Sequence, residues 1–434
     1  MTTTDPILQQ LHGIEQLLVG GDLPAAAAQL DAVARVAPND PRVHLIGAHM
    51  AEAAGRPDDA LHHTRRAASL SPAWAVPATE LALLLARMGR TPEALDAAQQ
   101  AVALAPNSLQ VLTGMVGIAH QALNPQLALA WLEKALQLDP NNATLKRHLV
   151  RDLAQLGHHA HAVLVSTQLL EHNATDVDVR LGRAKAALAA GDTALAVQDT
   201  ETLLAHDPAN ATYQFWHSVA RGEVPPTQPA AMTQALFDGY APVFDMHLVE
   251  GLQYQVPARV AALVGERYPD GMLDLLDLGC GTGLLGKYLG GIHGLLIGVD
   301  LSPGMLAQAA QLQIYDDFLT TDLLTALRGM PADCYDVVAA CDVFIYSGDL
   351  TEVVPATARA LKPGGHFIFS CEAAQPDEAD LVLRPSTRYA HKARHVRALC
   401  TAAGLTNVTL EDTTIRVESG QRIGGYIVVA RKPA

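Results

Sequence analysis

The sequence predicts two folds in series: an all-α solenoid of helical hairpins, then an α/β domain built on a mostly parallel sheet. Three observations predict it. A 34-residue period runs through the first half of the chain. Beyond a proline-rich break, apolar runs of strand length alternate with helical segments. The 434 residues also exceed what one domain of about 100 to 200 residues accommodates.

The repeats come first. Pro38, Pro72, Pro106, Pro140 and Pro208 fall at multiples of the period, with Ala174 in the one missed slot. Gly21, Gly55, Gly89, Gly157 and Gly191 share the spacing, broken only by Leu123. Ala26, Ala60, Ala94, Ala128, Ala162 and Ala196 share it without a break. Each Gly follows an apolar-periodic helix, where a left-handed cap is needed. The Ala five residues on lies where two helices must approach closely, and the Pro ends the second helix. Such a hairpin cannot bury its apolar face alone, so the units must stack. The pattern resembles the tetratricopeptide repeat over roughly residues 7 to 210, with a closing helix at 211 to 222. That resemblance implies a groove for a peptide or another protein. Arg147 and Arg151, at i, i+4 on one helix, are positioned for an acidic ligand.

Composition excludes several classes. Lys and Arg total 30 against 45 Asp and Glu, a net charge of −15, which opposes the phosphate neutralisation that nucleic-acid binding needs. No stretch approaches the roughly 18 uninterrupted apolar residues of a membrane span, and the N-terminus has no signal-peptide pattern. The five cysteines, all in the second half, show neither CxxC spacing nor an even count. The expectation is a cytoplasmic protein without a metal site, without nucleic acid and without a membrane partner.

The proline-rich stretch 222 to 230 reads as the start of a linker, giving a repeat array over 1–222, a linker over 223–234 and a second domain over 235–434. Strand-length runs follow at 272–279, 295–300, 335–341 and 365–372, then at 407–412 and 424–432. The first opens into Asp277-Leu-Gly279-Cys280-Gly281-Thr282-Gly283 and a helix. Glycines let backbone approach a ligand, and a helix N-terminus offers unpaired N–H groups. Spacing alone leaves two cofactors open. Gly281-x-Gly283-x-x-Gly286 with Asp300 19 residues beyond Gly281 also satisfies the dinucleotide rule.

Four motifs in order, LDLGCGTG, IGVDLSPGML, TTDLL and LKPGG, resemble the class I S-adenosylmethionine-dependent methyltransferases, over about residues 235 to 432. More narrowly, 236–257, 340–350 and 384–395 look like bacterial methyltransferases fused to tetratricopeptide repeats. The resemblance implies a Rossmann-like domain with a seven-stranded sheet and S-adenosyl-L-methionine as cofactor. It implies that Gly279, Gly281 and Gly283 pass the methionine portion, with Asp277 and Cys280 beside them. Asp300 accepts the ribose hydroxyls, Leu301 and Met305 flank the adenine, Asp322 takes its amino group, and Leu323 offers a backbone N–H. Read from the residues themselves, Cys341 is expected to pack near the ligand, and Tyr240 with Phe244 is expected either to form a lid over the cofactor or to serve interdomain packing.

Methyl transfer from a sulfonium depends chiefly on alignment and exclusion of water. The acceptor therefore belongs at the loops after the fourth and fifth strands, 341–346 and 372–391. His391 is the first candidate base, followed by Asp342 and Tyr346, while Arg388 and Tyr389 are candidates for an anionic or planar group. Ala340-Cys341-Asp342-Val343 stands where amino-directed nucleic-acid methyltransferases carry an NPPY-like sequence. The leading expectation is transfer to a protein or peptide recruited by the repeats. The alternative is a small-molecule O- or N-methyltransferase whose repeats serve oligomerisation or partner binding.

Overall fold

The computed structural model describes residues 5–240, 254–418 and 421–434, with backbone only at Tyr240. It forms two compact units, Met1–Asp199 and Thr200–Ala434. Helices α1 to α12 make six hairpins: Pro6–Val19 with Leu23–Val36, Pro41–Ala53 with Pro57–Leu70, Ala75–Arg87 with Thr91–Leu104, Leu109–Gln121 with Pro125–Leu138, Ala143–Gln155 with His159–His172, and Val177–Ala190 with Thr193–His206. Helix α13, Ala211–Ala220, follows.

The periodic residues do what their chemistry allows. The five repeat glycines take φ between 70° and 84°, and Leu123 takes the same left-handed turn at φ 52°, a strain of about 1 kcal/mol for a residue with a Cβ. The six repeat alanines are fully buried where helices meet. A further 34-residue series sits at the start of the first helices. Asp40, Ser108, Asn142, Asp176 and Asn210 each cap a helix by accepting a backbone N–H, with Trp74 as the exception. The two arginines expected to await an acidic ligand are taken by the array itself. Arg147 donates to Asp176 at 2.5 Å, and Arg151 contacts His120 and Asp152.

In the second unit, α14 (Ala230–Tyr240) and α15 (Val256–Arg267) precede β1 (Leu275–Leu278), α16 (Leu284–Leu289), β2 (Leu296–Asp300), α17 (Pro303–Gln311), β3 (Asp317–Thr320), α18 (Leu323–Gly329), β4 (Tyr335–Ala340), α19 (Val353–Ala360) and β5 (Leu361–Glu372). A short hairpin, β6 (Leu381–Leu383) with β7 (Tyr389–His391), comes next, then α20 (Ala393–Ala402), β8 (Thr406–Glu418) and β9 (Gln421–Arg431). The sheet order is β3-β2-β1-β4-β5-β9-β8, parallel through β5, with β9 and β8 antiparallel. Leu276, Val338 and Phe367 enter one core and Leu275, Val337 and Ile368 the other, because neighbouring residues on a strand face opposite ways. Chain order reverses between β1 and β4, and that opens a crevice at their carboxyl ends.

The expected linker is corrected. Residues 225–230 are bound into the second unit as a strap. The Gln228 N–H donates to the Tyr346 carbonyl at 3.1 Å, Asp349 N–H donates to the Pro226 carbonyl at 2.7 Å, and the Tyr389 hydroxyl donates to the Pro225 carbonyl at 2.8 Å. Prolines here remove donors from an extended segment instead of loosening it.

Candidate functional site

A cavity of about 530 Å³ opens at the crevice between β1 and β4. Leaving β1, the chain turns through Gly279 at φ 67° and Gly281 at φ 55°. A Cβ on Gly279 would lie 2.4 Å from Val343, so only glycine lets the turn close on the β4 loop. Gly281 N–H donates to Asp300 Oδ2 and Ser302 N–H to Asp300 Oδ1, both at 2.9 Å. This fixes the carboxylate at the end of β2 with its remaining lone pairs available. Burial raises the Asp300 pKa, and these two N–H groups oppose the rise.

Asp277 lies deeper, 1% exposed, and accepts the Tyr315 hydroxyl at 2.7 Å. Burial pushes its pKa to about 7, the Tyr315 bond pulls it down, and the nearby Asp300 pushes it up. The Tyr315 hydroxyl also accepts the Gly286 N–H at 3.2 Å, and its ring lies where a Cβ on Gly283 or Gly286 would clash. One tyrosine thus ties β1, α16 and the loop before β3 together.

The cavity brings together Asp277, Gly279, Cys280, Gly281, Asp300, Leu301, Asp322, Leu323, Cys341, Asp342 and Tyr346. Asp322 caps α18 by accepting the Thr325 N–H at 2.9 Å. Burial raises the Cys280 and Cys341 thiols well above their usual range, so neither is a ready thiolate.

Three expected site residues do not line the cavity. His391 is 0% exposed, its Nε2 bonds the Gly348 carbonyl at 2.7 Å, and burial lowers its pKa to about 4. As a core imidazole in β7 it is not the base. Met305 is fully buried in α17 and does not line the cavity. Gly283 serves packing, since a Cβ there would meet Leu312 and Tyr315. The side chain of Tyr240, and all of Phe244, lie outside the described residues. Tyr389 is likewise buried against the strap.

The structure adds residues that the sequence did not single out. Arg416 of β8 is 2% exposed and lines the cavity. Its Nε donates to Glu418 at 2.6 Å, its Nη1 to both oxygens of Asp342 at 3.2 Å, and its Nη2 to Glu372 at 2.7 Å. Asp342 takes φ 56°, with its N–H held by Ser370 Oγ at 2.8 Å. Burial raises its pKa, and Arg416 and Arg388 oppose the rise. Arg388 also lines the cavity, paired with Glu418 and hydrogen-bonded to Tyr346. Gln228, Phe237 and Tyr254 complete this end, and Phe237 meets Tyr346 edge to face at 5.2 Å. An arginine inside an alternating strand, as in Thr414-Ile415-Arg416-Val417, was the available signal.

Comparison with known proteins decides between the two cofactors. The family described as Methyltransferase domain matches residues 276–369, and the family described as Tetratricopeptide repeat matches residues 16–73 and 79–143. The chain joins tetratricopeptide repeats to a class I S-adenosylmethionine-dependent methyltransferase domain. It is 34% identical over 112 residues to a ubiquinone biosynthesis O-methyltransferase of Thiobacillus denitrificans, covering 25% of this chain and 47% of that one. It is 33% identical over 100 residues to the protein of that name from Pectobacterium atrosepticum, covering 22% and 41%. The chain thus spans about half the length of the relatives it matches, or less. Among solved structures, the [4+2]-cyclase SpnF matches with a TM-score of 0.41 at 19% identity, over 49% of this chain and 98% of that one.

The donor set of the methyltransferase domain fits S-adenosylmethionine. Asp300 offers fixed acceptors for paired hydroxyls, Leu301 and Leu323 offer apolar surface for a purine, Asp322 accepts from an amino group, and Asp277 offers a buried acid for an ammonium. Among the described residues no group of three or more His, Cys, Asp or Glu could hold a metal, and no helix is long and apolar enough to cross a membrane.

Proposed function

We propose that the chain transfers a methyl group from S-adenosylmethionine to a hydroxyl of a small acceptor. The observation that carries this reading is the sharing of one cavity by the cofactor-type residues and by Asp342 and Tyr346, under walls of proline, leucine, valine and aromatic side chains. An oxygen acceptor is supported by relatives that are named O-methyltransferases. S-adenosylmethionine, when bound, supplies an electrophilic methyl carbon. In this reading Asp300 and Asp277 bind and orient the cofactor, and the apolar walls exclude water. Asp342, paired with Arg416, accepts the hydroxyl proton at its carboxylate. Tyr346, hydrogen-bonded to Arg388, orients the acceptor.

Titrating the full chain with S-adenosylhomocysteine tests the cofactor half: Asp300→Ala should weaken binding by about tenfold or more, the worth of charged hydrogen bonds. A nicotinamide dinucleotide saturating the protein in its place would overturn the reading. Supplying radiolabelled methyl donor to a lysate, with Gly281→Arg as control, tests the acceptor half, with label expected in small metabolites. A second reading is a protein or peptide substrate recruited by the repeats, favoured by the tetratricopeptide match. Label in a macromolecule would select it.

A further inference from the structure

The acceptor end of the cavity is bordered by charges that are already paired. Three guanidiniums, Arg384, Arg388 and Arg416, face four carboxylates, Asp342, Glu372, Glu378 and Glu418. Each of the three Arg416 nitrogens already donates to a carboxylate, so an incoming anion would have to displace one of them in a buried place. Of these four carboxylates only Asp342 lines the cavity. Its left-handed backbone, with the N–H held by Ser370 Oγ, fixes it there. Pro226, Pro229, Phe237, Tyr254 and Val343 supply apolar and aromatic surface to the lining, beside the polar Gln228, Thr233 and Ser347. The strap supplies both of those prolines.

We propose that this wall is the acceptor subsite and that it selects a molecule with an apolar body and no anionic group, held by one hydroxyl that donates to Asp342. The inference rests on the methyltransferase reading above and adds the charge and shape of the acceptor. Arg416 acts through Asp342 as a positioning residue, opposing the effect of burial on the carboxylate and orienting it. An acid placed this way rewards a hydroxyl donor and leaves an ether or a carboxylate unrewarded.

The test uses the full chain saturated with S-adenosylhomocysteine and three probes titrated by ligand-observed NMR: 4-ethylphenol, 4-ethylanisole and 4-hydroxybenzoate. The phenol should bind about tenfold more tightly than both the ether and the benzoate, the difference that a charged hydrogen bond makes. In Asp342→Asn the phenol-to-ether ratio should fall to about twofold or less, and Asp342→Glu, which keeps the charge, should restore part of it. Far-UV circular dichroism establishes that both variants are folded. Benzoate binding as well as the phenol, equal binding of phenol and ether to the wild type, a contrast that survives in Asp342→Asn, or no probe binding to the saturated protein would each overturn the proposal. Absence of S-adenosylhomocysteine binding is a separate result that removes the methyltransferase reading itself.

Discussion

At the tip of β1, the Asp277 carboxyl is buried with the Tyr315 hydroxyl as its hydrogen-bond donor, and burial carries its pKa to about 7 in spite of that bond. An unfolded aspartate titrates near 4. Between those two values the native state holds a proton that the unfolded state has released, so the contribution of this residue to stability falls as pH rises from about 4 to about 7, and stays low above. The cost at pH 8 is on the order of 3 to 4 kcal/mol. Asp277→Asn removes the charge and keeps an acceptor for Tyr315. We expect the variant to melt at a higher temperature than wild type at pH 8, with the gap closing toward pH 4, while its affinity for S-adenosylhomocysteine is lost. A variant that melts lower at pH 8, or a gap insensitive to pH, would show that the acid is not held at such a cost. Buried acids that destabilise a fold persist where binding requires them.

The strap at 225–230 shows how one element escapes a reading that finds others. A strand, a glycine turn and a helix contiguous in sequence announce themselves, and Asp277, Gly279, Gly281 and Asp300 were legible because their chemistry is local. The repeats were legible through their period, even to the slot where Leu123 stands in for glycine. Prolines at 225, 226 and 229 carry the same local signal in a free linker and in a pinned segment, and only partners more than 100 residues away distinguish the two. Arg416 and Asp342 are likewise joined across 74 residues, by a sheet whose register no local pattern announces. His391 misled for the converse reason, since a histidine beside polar loop residues reads as available until β7 buries it. Gln228 is the strap's anchor, its Nε2 donating to the Thr387 carbonyl at 2.6 Å. Gln228→Ala should cost about 1 to 3 kcal/mol by leaving that carbonyl unpaired, and amide hydrogen exchange should rise in residues 343–349, which the strap holds. Unchanged protection there would mean that the strap does not brace the loop.

Each compact unit has cores of its own: alanine, leucine and valine clusters among the hairpins, and two clusters on the faces of the sheet. Repeat stability is a sum of hairpins and their nearest-neighbour contacts, whereas the α/β unit gains from whatever binds its cavity. These origins separate the two units in a melting experiment. At a hundredfold excess over its dissociation constant, S-adenosylhomocysteine should stabilise the α/β unit by about 2.7 kcal/mol and leave the repeats where they were. Ala128 of α8 is fully buried against its neighbours, so Ala128→Leu should overpack the array by about 1 to 3 kcal/mol and leave the α/β unit unaffected. Differential scanning calorimetry of the full chain should therefore resolve two transitions, one raised only by the ligand and the other lowered only by the substitution. A single transition that answers to both would mean that hairpins and sheet fold as one cooperative body, and the separate cores would then be separate in packing alone.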